Sequence, residues 1–190
     1  MDQHSKIIPL NETPQLITSN ITLALGGMTL YRRPVAFVKE MLRSNVQRPT
    51  SNLTLLAFTA SYESDLLVGA GIVKKVRSCY FGMEAFGLAP MFTQAANLGD
   101  IQIIEETEAS LAFGLRAALA DVGFMAGRGW IGTDLLKLRP DVKTIRDPYS
   151  GEGLVAFPAI KVDVAVIHAL KADKSGNAII GGNQAVDVEL

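Results

Sequence analysis

Three short stretches carry residues whose types and spacing suit chemistry. The apolar run Ile21–Leu25 empties into Gly26-Gly27, and Arg32-Arg33-Pro34 follow a few positions later. Paired glycines after a strand let the backbone approach a ligand closely, and the amides of a following helix attract anionic or partly negative oxygen. That chemistry serves a carboxylate, a phosphate or a thioester oxygen alike, and an ordinary tight turn explains the same residues. The dinucleotide pattern GxGxxG and the P-loop pattern GxxxxGK are both missing. Arg32 and Arg33 can fork onto such oxygens, with surface solvation the competing role for at least one of them. In the second stretch, Glu105, Glu106 and Glu108 fall between the end of a strand and the start of a helix. Open α/β sheets bind ligands at that edge, although acidic residues there also simply complement the helix dipole. The third stretch, Tyr80-Phe81-Gly82-Met83-Glu84, also follows a strand and suits either a substrate pocket or a subunit contact.

These stretches need elements to hold them. The run Ile21–Leu25 reads as a strand buried on both faces, and Pro34 opens a helix with Val35, Val38, Met41 and Leu42 on one stripe. Leu53–Phe58 is a second strand, Ser61–Val68 a helix ended by Gly69, and Lys75–Tyr80 a third strand. An irregular segment, Phe81–Ala96, leads to a fourth strand at Ile101–Glu105. Thr107 then caps a helix carrying Leu111, Leu115 and Leu119. Val122–Ala126 reads as a strand, Gly127–Thr133 as a loop, and Val142–Arg146 with Leu154–Phe157 as a hairpin around Asp147–Gly153. Val162–His168 is a β-branched strand and Ala178–Ile180 a short one. The order predicts an α/β protein: an open, mainly parallel sheet with flanking helices and an antiparallel appendage.

Composition narrows the function classes. The 190 residues hold 18 Lys+Arg against 19 Asp+Glu, so no polybasic field is available for nucleic acid or an anionic membrane. Cys79 is the only cysteine, which excludes an intrachain disulfide and a thiolate metal cluster. It reads as a small core residue in the strand Val76–Tyr80. His4 and His168 lack any ligand spacing, and His168 reads as a satisfied core histidine. No apolar leader and no spanning stretch are evident, so a cytoplasmic location is expected. Mean hydropathy is +0.24, high for a soluble monomer. An N-terminal segment, 1–18, precedes one domain over 19–190. Its last residues, Gln184–Leu190, stop inside an apolar-alternating stretch, so that domain is expected to be C-terminally incomplete.

The stretch Ser19–Pro34 resembles the signature of family I coenzyme A transferases. Asn20, the triplet Leu23–Leu25, Gly26, Gly27 and Pro34 fit it, while Ser19, Met28 and Arg32 depart from it. The Arg32-Arg33-Pro34 ending is similar to the A subunits of the glutaconate CoA-transferase branch. The likeness continues through Gly69–Val76, Phe157–Ala169 and Ala172–Ala178.

The resemblance implies the coenzyme A transferase fold and a ping-pong exchange of coenzyme A between an acyl-CoA and a carboxylic acid. It implies a homologous B subunit that supplies the glutamate nucleophile, so no nucleophile is assigned to this chain. Coenzyme A thioester enters as substrate, and no permanently bound cofactor and no metal are expected. Gly26, Gly27, Arg32, Phe81 and Gly82 are the expected substrate-binding positions. A related branch, the steroid ring-opening acyl-CoA hydrolases, implies instead a catalytic Glu108, with Glu105 the fallback. A non-catalytic domain of the same fold, binding an anionic metabolite, is the rival from another class.

Overall fold

The computed structural model describes residues 5–45, 47 and 49–182. His4 and the Gln184–Leu190 stretch lie outside the described residues. Among the described residues the chain runs β1 (Thr22–Leu25), α1 (Val35–Asn45), β2 (Leu53–Leu56), β3 (Thr59–Ala60), α2 (Tyr62–Gly69), β4 (Val73–Ser78) and β5 (Tyr80–Phe81). It continues with α3 (Pro90–Leu98), β6 (Gln102–Glu105), α4 (Glu108–Leu119), β7 (Phe124–Gly127), α5 (Leu135–Leu138) and β8 (Lys143–Arg146). The last strands are β9 (Gly153–Pro158), β10 (Val164–Val166), β11 (Lys171–Ala172) and β12 (Ala178–Ile179).

The central sheet has the order β10-β1-β2-β4-β6, and every pairing in it is parallel. Alternation along these strands sends Leu23, Leu25, Leu53, Leu55 and Val76 to one face, where Phe37, Val38 and Met41 of α1 and Leu67 of α2 cover them. Ala24, Leu56 and Phe58 point to the other face, against Leu111 and Leu115 of α4. Burial on both faces is why β1 and β2 read as apolar runs. The helix α4 lies close on its support: a Cβ at Gly114 would sit 2.5 Å from Ile160 Cδ1 and 2.9 Å from Pro158 O.

The antiparallel appendage is β7-β9-β8, with its own core of Trp130, Val142, Val155 and Phe157. The register Arg146↔Gly153 confirms the hairpin around Asp147–Gly153. Several local expectations change. Cys79 lies between β4 and β5 and is half-buried, so it is not a core residue within a strand. The second half of the irregular Phe81–Ala96 segment is helical, as the start of α3, which Pro90 opens and Gly99 closes in the left-handed region. Gly69 is the last residue of α2, and the left-handed residue after that helix is Gly71, at φ +71°. His168 lies beyond β10 and is exposed, so it is no core histidine: the strand ends at Val166. No helix among the described residues is long and apolar enough to cross a membrane.

Candidate functional site at the carboxyl edge of the sheet

The strand order reverses at β1, because the chain proceeds outward through β2, β4 and β6 and later returns to place β10 on the opposite side of β1. Such switch points are where open α/β sheets bind ligands. Gly26 and Gly27 lie at this point, and the Gly26 amide donates to Val166 O at 2.9 Å, which joins the two strand exits. Gly27 adopts φ +94°, and a Cβ there would lie 2.6 Å from Tyr31 O. Only glycine fits.

The turn closes on itself. Met28 N donates to Tyr31 O at 3.0 Å, and Tyr31 N to Met28 O at 2.7 Å. Thr29 N reaches across to Thr59 Oγ1 at 2.8 Å. Thr29 and Arg32 both hold positive φ, at 47° and 51°, a strain that persists only where surrounding contacts enforce it. The amides of Gly26, Met28, Thr29 and Tyr31 are therefore committed to protein acceptors. What the turn presents outward is Met28, Leu30 and Tyr31.

The adjacent exits are knotted through one carbonyl. Phe58 O accepts from Cys79 N and Tyr80 N at 3.2 Å each, from Ser78 Oγ at 3.1 Å and from the Cys79 thiol at 2.9 Å. Strand β3 pairs with β5, and Gly82 N donates to Ala60 O at 3.1 Å. Gly82 is buried, and a Cβ on it would meet Tyr80 Oη at 2.6 Å. The ring of Phe81 stacks on Phe92, centroids 4.0 Å apart, and packs on the α1–α2 core. Its side chain therefore braces α3, and only its backbone belongs to the edge.

At the β6 exit, Glu105 and Glu108 are exposed while Glu106 is buried. Glu106 accepts from Arg77 Nε at 2.6 Å, Arg139 Nη1 at 2.8 Å and Ser110 Oγ. Thr107 and Ser110 form a capping box, and the Trp130 indole donates to Thr107 Oγ1 at 2.9 Å. Glu108 is thus the first residue of a firmly anchored helix. Burial pushes the Cys79 thiol up to about 11, helped by the nearby charge of Glu108. Arg139 holds the Asp141 carboxyl below the usual range.

The arginine pair divides its labour. Arg32 is half-buried on the turn, whereas Arg33 is buried. Arg33 Nη1 donates to Gly27 O at 2.9 Å and Thr59 O at 3.1 Å, and its Nη2 pairs with Glu63. Sequence reasoning missed Glu63, the burial of Glu106, and Arg139. The spacing of Glu106 to Ser110 is a helical contact signal, but the Arg77 and Arg139 partners lie far along the chain and leave none. Gly26, Gly27, Arg32, Gly82 and Glu108 all come to the one edge. Among the described residues no group of three or more His, Cys, Asp or Glu is placed to hold a metal ion.

A sequence profile for coenzyme A transferase matches residues 10–185. The chain belongs to the coenzyme A transferase family. It is 32% identical to the A subunit of 3-oxoadipate CoA-transferase from Pseudomonas knackmussii, over 97% of this chain and 65% of that one. It is 31% identical to the cholesterol ring-cleaving hydrolase IpdA subunit of Rhodococcus jostii, over 96% of this chain and 62% of the relative. The crystal structure of glutaconate coenzyme A-transferase from Acidaminococcus fermentans superposes with a TM-score of 0.86 at 28% identity, covering 97% of this chain and 63% of that chain. The chain spans less than two thirds of the length of each of these proteins. Its mainly parallel sheet, flanking helices and small antiparallel sheet are those of the coenzyme A transferase fold.

Proposed function

We propose that this chain is the A-type component of a heteromeric, cytoplasmic CoA-transferase that moves coenzyme A between an acyl-CoA and a carboxylic acid. The observation that carries this reading is family membership over residues 10–185, with relatives named as the A subunits of 3-oxoadipate and glutaconate CoA-transferases. The carboxyl edge around Gly26, Gly27, Arg32 and Gly82 is the proposed acyl-CoA face. The thioester is substrate, and the nucleophile is a glutamate of a homologous B subunit.

The chemistry balances without a further reagent. The partner's carboxylate attacks the thioester carbonyl, the C–S bond breaks, and coenzyme A leaves as a thiolate, with formation of a mixed anhydride of the acyl group and the glutamate. The thiolate then attacks the glutamyl carbonyl, which releases the first carboxylic acid and leaves a glutamyl-CoA thioester. An acceptor carboxylate reverses both steps. This chain's part is to orient the thioester against that glutamate and to hold water away, since hydrolysis of the anhydride would waste it.

Co-expression with a B-type chain is expected to give a stable complex. Incubation of the complex with acyl-CoA, followed by borohydride reduction and peptide mass spectrometry, should find one reduced glutamate on the partner. Acid release without trapping, and dependent on water alone, would overturn the transferase reading. Glu108→Gln in the same complex tests whether the exposed carboxylate at the start of α4 takes part; unchanged turnover removes it from the mechanism.

A further inference from the structure

We propose that the buried Arg33–Glu63 pair is a positioning device: its guanidinium fork fixes the carbonyls of Gly27 and Thr59, and so sets how the glycine turn faces an incoming acyl-CoA. The inference rests on the carboxyl edge being the acyl-CoA face.

The location is the first argument. Gly27 O terminates the β1 exit and Thr59 O the β2 exit, and one nitrogen, Arg33 Nη1, bonds to both. A planar guanidinium with donors in a rigid fork can hold two carbonyls and a carboxylate at once, which an ammonium cannot do in the same geometry. The second nitrogen, Nη2, takes the Glu63 carboxylate, whose Oε1 also accepts from Ser64 Oγ at 2.7 Å. Both side chains are almost fully removed from water, at 3% and 0% exposure.

Energetics supply the second argument. A buried ion pair is a weak source of stability, because desolvation offsets much of its attraction. This one is also incompletely satisfied: Arg33 Nε and Glu63 Oε2 are buried without a hydrogen-bond partner among the described residues. A network of that kind is costly as a fastener, and its gain lies in geometry. The turn it grips holds two non-glycine residues in the left-handed region, Thr29 and Arg32, so the conformation needs outside support to persist. A further tie to the β2 exit is the hydrogen bond from Thr29 N to Thr59 Oγ1, on the very residue whose carbonyl Arg33 holds.

Amide hydrogen exchange on the intact chain, resolved by residue, tests the proposal without partner or substrate. Arg33→Lys is expected to speed exchange at Met28, Thr29 and Tyr31 by about 10- to 100-fold, the factor for losing one hydrogen bond from a charged donor. Leu55 in β2 and Leu115 in α4 should exchange at the wild-type rate. Glu63→Gln, which keeps an acceptor for Nη2, should leave the turn close to wild type. Unchanged exchange in R33K overturns the inference, and so does parallel acceleration at all sites, which would make the pair a general stabiliser. Failure of both variants to fold overturns it as well. In the complex with the B-type partner, assayed with acetyl-CoA and glutaconate, R33K should lose rate through kcat with KM little changed. Turn dynamics altered as expected but with kcat intact also overturns the positioning role. A wild-type complex inactive on that probe excludes that substrate pair from the proposed function, while the exchange result still decides the role of the Arg33–Glu63 pair.

Discussion

Glu106→Leu should be the most damaging single change at the start of α4. The carboxylate is 2% exposed and serves Arg77 Nε at 2.6 Å, Arg139 Nη1 at 2.8 Å and Ser110 Oγ together. Removing one member of a buried ionic network leaves its partners desolvated and unpaired, at a cost of about 3–5 kcal/mol. Two features draw this case to the lower end. The Arg77 side chain is 18% exposed and can turn to water. Arg139 keeps both oxygens of Asp141, at 2.8 and 2.7 Å, and the Glu105 carbonyl at 2.8 Å. A loss of about 3 kcal/mol follows, and at ~2–4 °C per kcal/mol for a chain of this size Tm falls by about 6–12 °C. Differential scanning calorimetry at neutral pH measures it, with urea unfolding as the check on ΔG. Asp141→Asn is the internal comparison: that carboxylate is 58% exposed, so its pair with Arg139 is screened and its removal costs ~1 kcal/mol or less. An E106L variant within about 1 kcal/mol of wild type, or an equal loss in D141N, would refute the reasoning, because burial would then not set the cost.

The glycine turn gives a paired test. Gly27→Ala meets both positive φ and a backbone oxygen 2.6 Å from the new Cβ, whereas Gly71→Ala meets only φ +71° with open space around it. The first should cost about 2 kcal/mol or more by urea unfolding and the second about 1, and equal losses would contradict the close approach. Cys79 should resist alkylation. With its thiol pushed up to about 11, iodoacetamide labelling at pH 8 should run ~100-fold slower than for an ordinary exposed cysteine, and labelling at the ordinary rate would contradict its burial. The same shift has a sign. The folded thiol holds its proton more tightly than the unfolded one, so its contribution is present below about pH 8.5 and declines as pH rises toward 11. Cys79→Ala should flatten that alkaline decline in a stability–pH series.

Legibility followed the range of the interactions. The run Leu23–Leu25 into Gly26-Gly27, the Thr107 cap and the hairpin around Asp147–Gly153 depend on neighbours a few residues away, and each forms at or close to its expected position. The helix α3 was hidden because it follows a Gly-containing irregular stretch with no side-chain cap at its start, and none of its residues is fully buried. His168 was misplaced because β-branched residues continue the strand pattern past the last pairing at Val166. Phe81 was read as a pocket residue because no local pattern announces its stack on Phe92, which forms only when α3 folds back.

The amino-acid sequence by itself determined the class of the fold, the glycine turn at its head and the likeness to coenzyme A transferases. Those rest on periodicity, turn chemistry and ordered motifs, all of which are written along the chain. Only the tertiary structure decided that the amides of Gly26, Met28, Thr29 and Tyr31 are consumed within the protein, that Arg33 is buried while Arg32 is half-buried, and that Glu106 is sealed in while Glu108 two positions later is exposed. Identical residue types at neighbouring positions differ there because burial and pairing are set by partners brought in by the sheet order: Glu63 for Arg33, Arg77 and Arg139 for Glu106. The free energy of a charge depends on what surrounds it, and its surroundings come from distant segments of the chain.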